Sequence, residues 1–436
     1  MSTRQTGSRS LVTKWALVTI VLLTFLPVGN SDERTRWVSV KEIYSQGKHN
    51  GWPDLCRWRD KYYVVFPAHG VGHQAPHDVV VLASDDAEHW ESVLDTPPTD
   101  WQLEDDETWP AETLFFLPTE KRLYLLYWAS ARGNTDVSEK RRNQLKKQWM
   151  ELGGNENSWQ RWLTCHEQSY RTRLRYTEDG RTWSQPQQLL DPGWWLWRPQ
   201  TFGGKHYMVG FSGQAQQWQI TPELTEMIPL ADTTPLGVKR GWGIELFRAA
   251  SLFVSEDGLA WSKVSNIANR DDGEPGLHFA PDGRALVVSR NGSGFKHAIA
   301  YVGHPPYHHW RSIQLDQAIH QAAVIYHKNR WIVGGRYLDE ATFEPNRFDP
   351  VNALQSRTGT RLWFLDDQTG ELTVATTLPS WGDCGQPAFL PTPEGDLLVA
   401  YYSCSQTIDR NLAVGGGPHP GKYSPTSIYL ARVVIE

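Results

Sequence analysis

"SEDGLAW", residues 255–261, separates two strand-like runs, and its pattern returns as "TEDGRTW" at 177–183 and "SDDAEHW" at 84–90. All three copies read Ser/Thr-x-Asp-Gly/Ala-x-x-Trp with identical spacing. The residue types describe a self-contained turn. Its hydroxyl and carboxylate accept backbone N–H groups, its Gly permits positive φ, and its Trp packs beneath. Such a turn joins outer strands, so three copies imply a repeated sheet unit, and repetition has to be read before any local motif.

Between and beyond these turns lie six hairpin-like segments: "WPDLCRWRDKYYVVF" from Trp52, "WPAETLFFLPTEKRLYLLYW" from Trp109, "RPQTFGGKHYMVGF" from Arg198, "EPGLHFAPDGRALVVSR" from Glu274, "QAAVIYHKNRWIVGGR" from Gln321 and "QPAFLPTPEGDLLVAYY" from Gln386. Each begins one residue before a Pro or Ala and runs through an apolar strand, a turn and a strand rich in aromatic and β-branched residues. Six such hairpins predict an all-β fold, a six-bladed β-propeller of four-stranded antiparallel blades in one domain over residues 36–436. The polar, helix-prone stretch Ser138 to Ser169 breaks the rhythm and predicts a helical insertion in blade two, about 133–170, either resting on the rim or covering the substrate face.

Composition agrees with sheets: the 436 residues include 22 Trp and 16 Tyr. A net charge of −6 with scattered Lys and Arg offers no basic stripe, which excludes a nucleic-acid partner. Arg4, Arg9 and Lys14 precede an apolar stretch from Trp15 to Pro27, so residues 1–30 read as a secretory signal or, second, an uncleaved anchor. An exported monomer is expected, touching membrane only through that segment. Cys56, Cys165, Cys384 and Cys404 are too few for a disulfide scaffold and have no CxxC spacing.

The first strand of a propeller blade lines the central axis, so residues at its entrance converge on one face. Those positions are Trp52, Trp109, Arg198, Glu274, Gln321 and Gln386, a set of aromatic rings, amides, an acid and a cation that suits a sugar. A turn centred on Asp282 places Glu274 opposite Arg290, and one centred between Lys328 and Asn329 places Arg336 opposite Gln321. A turn on Glu394 puts Cys384 opposite Cys404, a disulfide candidate whose alternative is two buried thiols in contact. Packing is the alternative role for Trp52 and Trp109. Ion pairing with Asp191 or Glu340 is the alternative for Arg198 and Arg336, and a structural pair is the alternative for Glu274 with Arg290, although burying such a pair gains little stability.

The three turns, together with "GEPGLHFAPDGRALVVSRN" at 273–291, resemble the Asp-box, or BNR-repeat, propellers of the sialidase superfamily. The resemblance implies an exo-acting glycoside hydrolase on acidic, sialic-acid-like glycans, needing no cofactor. Glu274 would activate a Tyr nucleophile, and Arg290 would join an arginine clamp, with Arg336 and Arg198, on the sugar carboxylate. Two positions depart from that family: Gly51 stands where its first clamp arginine sits, with Arg57 as the nearby substitute, and Gln386 stands in place of the Tyr. Tyr401, the catalytic candidate, and Tyr402 are the nearest phenols, and Asp54, Asp78 or His69 is the candidate general acid, with Glu112 in reserve. His69, His73 and His77 lack metal-motif spacing, so no metal is expected. The alternative function is a non-catalytic glycan-binding propeller.

Overall fold

The computed structural model describes residues 35–47, 49–69, 78–101, 107–108, 113–132, 139–151, 156, 159, 168–190, 194–212, 249–268, 272–291, 297–338, 358–404 and 425–436. The expected signal segment lies outside them, as do Trp109, Glu112, His73, His77, Cys165, Asp191 and Glu340.

Six antiparallel sheets follow one another along the chain. Blade one is Asp54–Trp58, Lys61–Ala68, Asp78–Ser84 and Glu91–Thr96. Blade two begins with the split strand Glu107–Thr108 and Leu114–Pro118 and continues through Leu123–Arg132, Gln168–Thr177 and Gln187–Gln188. Blade three has a split first strand, Trp194–Leu196 and Gln200–Phe202, then Lys205–Ser212, Ala249–Ser255 and Trp261–Ala268. Blade four is Asp272–Phe279, Ala285–Asn291, Ile299–Gly303 and Trp310–Gln314, and blade five is His320–His327, Arg330–Leu338, Thr358–Leu365 and Leu372–Leu378. Blade six takes Gly385–Pro391, Leu397–Cys404 and Thr426–Ile435 from the end of the chain and its outermost strand, Thr35–Tyr44, from the beginning. That last pairing, with Lys41 opposite Leu430, closes the ring and was not among the hairpins read from the sequence. Within blade two the chain between Leu123–Arg132 and Gln168–Thr177 includes the α-helix Glu139–Glu151.

Apolar side chains fill the spaces between neighbouring blades. Leu286 and Val288 pack against Val324 and Val333 of blade five, whereas Ala285 and Val287 pack against Val209 and Leu252 of blade three. Alternate residues of one strand thus serve two different cores, which is why the inner strands read as continuous apolar runs. Six such clusters occur, one at each blade junction, including the closing one where Val64 and Phe66 meet Leu398 and Leu430.

The repeated turns sit between the third and fourth strands of blades one, two and three. In blade three Asp257 Oδ1 accepts the N–H groups of Leu259 and Ala260, both at 2.8 Å, and Ser255 Oγ accepts that of Gly258 at 2.9 Å. The Trp261 indole donates to the Gly258 carbonyl at 3.0 Å. Asp179 and Thr177 repeat the carboxylate and hydroxyl contacts in blade two, where the Trp183 indole is unpartnered, and Asp86 repeats the carboxylate contacts in blade one. The backbone N–H groups hold Asp179 and Asp257 below the usual carboxylate range.

Candidate active site

The hairpin registers deduced from the sequence hold along the strands and then shift by one residue at the entrances. Gly276 pairs with Val288 as a turn centred on Asp282 requires, but Arg290 pairs with Gly273 and not with Glu274. In blade five Arg336 lies opposite His320, not Gln321, and in blade six Tyr402 lies opposite Gly385. The cause is a bulge at Glu274–Pro275, at Gln321–Ala322 and at Gln386–Pro387. Blade one shows the same step, since the Gly51 N–H bonds the Pro67 carbonyl at 3.1 Å while Asp54 pairs with Val65. Bulges free ladder groups and re-aim side chains, and Pro, having no N–H to lose, suits them.

Each bulge turns on a residue in left-handed conformation: Trp52 (φ 49°), Glu274 (φ 51°), Gln321 (φ 55°) and Gln386 (φ 41°). None is glycine, and the conformation costs about 1–2 kcal/mol per residue. What the bulge provides is visible at blade five. The Gln321 N–H, released from its hairpin, donates to Glu274 Oε2 at 2.9 Å.

Glu274 is therefore held from both sides. Its Oε1 accepts Arg290 Nη1 at 3.0 Å, and both side chains keep 21% of their surface exposed. Burial pushes this carboxyl up, but Arg290, His320, the Gln321 N–H and Arg336 outweigh it, so the group lies below the usual glutamate value and is ionised at neutral pH. The pair is partly exposed at the entrance end, an access that a purely structural ion pair does not need.

Behind it, Arg336 is held through two of its three nitrogens. Its Nη2 donates to Asp383 Oδ1 at 2.8 Å and to the Tyr402 hydroxyl at 2.6 Å, and its Nε donates to the Cys384 carbonyl. Tyr402 donates to Asp383 Oδ1 at 3.0 Å and receives Gln321 Nε2 at 3.4 Å, while His49 Nε2 lies 3.0 Å from Asp383 Oδ2. Burial pushes the Tyr402 phenol well above its ordinary value despite Arg336. The sequence puts Tyr401 forward as the catalytic phenol, and the strand pleat reverses that choice. Tyr401 turns into the core between blades five and six, where it donates to the Pro379 carbonyl at 2.9 Å, whereas Tyr402 faces blade one and the axis. Tyr401 is thus away from the site. His49 and Asp383 were missed as site residues; each stands three residues before the entrance residue of its blade, a spacing that could have signalled them.

Arg198 is a strut. Its Nε lies 2.8 Å from Asp54 Oδ1, its Nη1 donates to the Pro387 carbonyl of blade six at 3.0 Å, and its Nη2 reaches the Pro53 carbonyl of blade one at 3.5 Å. Asp54 also accepts the Phe116 N–H of blade two at 2.8 Å. Four blades are tied together by this one buried pair, which places Asp54 among backbone partners and not at the mouth. Burial raises the Asp54 pKa, with Arg198 and the Phe116 N–H opposing. Trp52 is buried as well, its ring 6.0 Å from Tyr402 and 5.3 Å from His49, so it packs and does not offer a free stacking face. Arg57, the sequence's substitute for the clamp arginine at Gly51, pairs at 3.2 Å with Asp60 in the turn at the far end of its hairpin.

Blade one contributes a second group to the entrance end. Asp78 starts its third strand opposite Ala68, and His69 follows that residue, with its Nε2 2.8 Å from the Tyr44 hydroxyl and 3.9 Å from Asp95 Oδ1. Burial raises the Asp78 pKa, with His69 opposing and Asp95 reinforcing it. His69, Asp78 and Asp95 present ligand atoms within 4.8 Å of one another, the one trio among the described residues compact enough to share a cation.

The disulfide expectation fails: Cys384 and Cys404 are free, buried thiols. The bulge at Gln386 moves the strand by one residue, so the symmetric placement about Glu394 does not survive at the entrance.

No family model and no curated protein matches the chain. Solved structures do. An unknown-function protein from Dyadobacter fermentans superposes with a TM-score of 0.60 at 14% identity over 93% of this chain and 100% of that one. A Trypanosoma rangeli sialidase mutant displaying trans-sialidase activity gives 0.56 at 9% identity, covering 90% of this chain and 58% of the other, so the chain spans under three fifths of that sialidase's length. A Penicillium chrysogenum α-L-arabinanase complexed with arabinobiose gives 0.51 at 13% identity, with 91% and 98% covered. The chain is thus a six-bladed β-propeller structurally similar, at low identity, to sialidases and to other glycosidase propellers.

Proposed function

We propose that the protein is a glycoside hydrolase whose catalytic groups are Glu274 and Asp78. The observation that carries this reading is that two carboxyls at the entrance ends of opposite blades have pKa values displaced in opposite directions. Glu274 is held ionised by Arg290 and its neighbours, and Asp78 is pushed toward its protonated form by burial. Such a division assigns a base to one carboxyl and an acid to the other. Glu274 takes a proton from water as the water oxygen attacks the anomeric carbon; the glycosidic C–O bond breaks, and Asp78 protonates the leaving oxygen. Tyr402 is fully buried with a raised pKa, and Gln386 cannot ionise, so direct attack by water, with inversion, fits better than a phenolate nucleophile.

The test is a panel of chromogenic glycosides, an α-sialoside among them, offered to the full chain and to its Glu274→Gln variant. Turnover of at least one substrate, lost in the variant and giving the inverted anomer by proton NMR, is expected. Saccharide retention without turnover by either chain would favour the non-catalytic binder, which the replacement of a nucleophile by Gln386 also accommodates.

A further inference from the structure

We infer that the mouth recognises a neutral, hydroxyl-rich saccharide unit and not an anionic one, an inference that rests on the carbohydrate reading above and names its substrate class. Two independent observations carry it. The first is charge. The three guanidinium groups expected to clamp a carboxylate each lie against a carboxylate of the protein: Arg198 at 2.8 Å from Asp54, Arg290 at 3.0 Å from Glu274 and Arg336 at 2.8 Å from Asp383. The three guanidinium groups are thus matched one to one by carboxylates of the protein, and an incoming anion would have to share a guanidinium with Glu274, Asp383 or Asp54.

The second observation is the kind of hydrogen-bonding capacity left unmet. Gln386 is 1% exposed, yet neither Oε1 nor Nε2 has a partner, and Gln321, 5% exposed, leaves Oε1 unmet. Turning the Gln321 amide over exchanges which of its atoms is unmet, and Gln386 is unmet at both atoms in either orientation. Arg290 Nε, a donor, is likewise unmet. A buried amide without partners is costly, and both amides sit on left-handed residues that are themselves strained. Cost of two kinds at the same two positions of adjacent blades marks a place where a partner is to arrive. The unmet set contains acceptors as well as donors. A carboxylate supplies acceptors only and cannot serve either amide oxygen, whereas a sugar hydroxyl donates and accepts at once. Amides reading hydroxyls also give selectivity, because a ligand lacking the hydroxyl leaves the buried amide unpaired.

The experiment is calorimetric titration of the full chain with neutral methyl glycosides (arabinofuranoside, galactoside, glucoside and fucoside) and with N-acetylneuraminic acid, each at low and high salt. At least one neutral glycoside should bind, with an affinity indifferent to salt. Gln386→Leu and the longer Gln386→Met should each weaken it roughly 10- to 100-fold while leaving the melting temperature unchanged or higher, because an unmet buried amide has been removed. Binding of N-acetylneuraminic acid alone, weakened by salt and indifferent to Gln386, overturns the inference, and so does the absence of binding by every probe. Hydrolysis separates the two proposals: turnover of a sialoside sinks the neutral ligand and keeps the hydrolase, while salt-indifferent neutral binding without turnover of any glycoside does the reverse.

Discussion

The two ends of the blades use the same backbone conformation to opposite purposes. In the three repeated turns the left-handed positions are Ala87, Gly180 and Gly258, small residues with little or no side chain to strain, and the turn carboxylates accept backbone N–H groups at 2.7–2.8 Å. At the mouth the left-handed positions include Trp52, His69, Glu274, Gln321 and Gln386, and the two amides among them leave polar atoms unmet. The repeated turns satisfy their carboxylates and leave one buried donor, the Trp183 indole, unmet. The mouth accepts strain and several unmet groups, which a chain retains where a ligand or a reaction uses them.

Substitutions at the two ends should therefore separate stability from function. The largest effect is expected from Arg198→Met, which leaves Asp54 charged and buried and should destabilise the fold by up to about 5 kcal/mol at neutral pH. Since burial already holds the Asp54 pKa up in the folded state, protonation favours folding there. Part of the loss should return as pH falls, and an unfolding series across pH would show it.

Next comes Glu274→Gln, expected to slow turnover about 10³-fold, roughly 4 kcal/mol of barrier, while the melting temperature hardly moves. A variant that unfolds instead would return this pair to a structural role. Asp78→Asn should cost about 10²-fold and change the shape of the pH profile. In the parent chain the rate should rise with pH as Glu274 ionises, below the usual glutamate value, and fall as Asp78 loses its proton, above the usual aspartate value. The falling limb should vanish in the variant; its survival would assign the acid elsewhere.

The smallest effect is expected at the other end. Asp257→Ala removes the acceptor of two turn N–H groups and should cost about 1 kcal/mol, read from urea unfolding, with no change in turnover. A change in kcat there would contradict the division of labour between the two ends.

Much of this architecture was legible in the chain because its signals are local. Three turns of fixed spacing and six hairpins specify the blades, and a strand pleat of period two specifies their cores. The closing strand Thr35–Tyr44 was not legible, since its partner Thr426–Ile435 lies at the far end of the sequence and no hairpin joins them. At the site, the convergence of Glu274, Arg290, Gln321 and Arg336 was legible from strand entrances, but the one-residue bulges were not. A bulge leaves only a residue before Pro or Ala as its mark, and it displaced every cross-hairpin partner deduced at the mouth, Cys384 and Cys404 included. Which of two adjacent tyrosines faces the axis, and that Asp54 lies against Arg198, depend on neighbours far away in sequence.

The central claim is that the strained, unsatisfied end of the blades receives a sugar, and a crystal structure of the Glu274→Gln chain soaked with a substrate it no longer cleaves tests it most directly. The expected density places sugar hydroxyls on the amides of Gln386 and Gln321, with the anomeric carbon facing residue 274 and Asp78 beside the leaving oxygen. Sugar bound at the outer turns or on the side wall, with those amides unchanged, would contradict it.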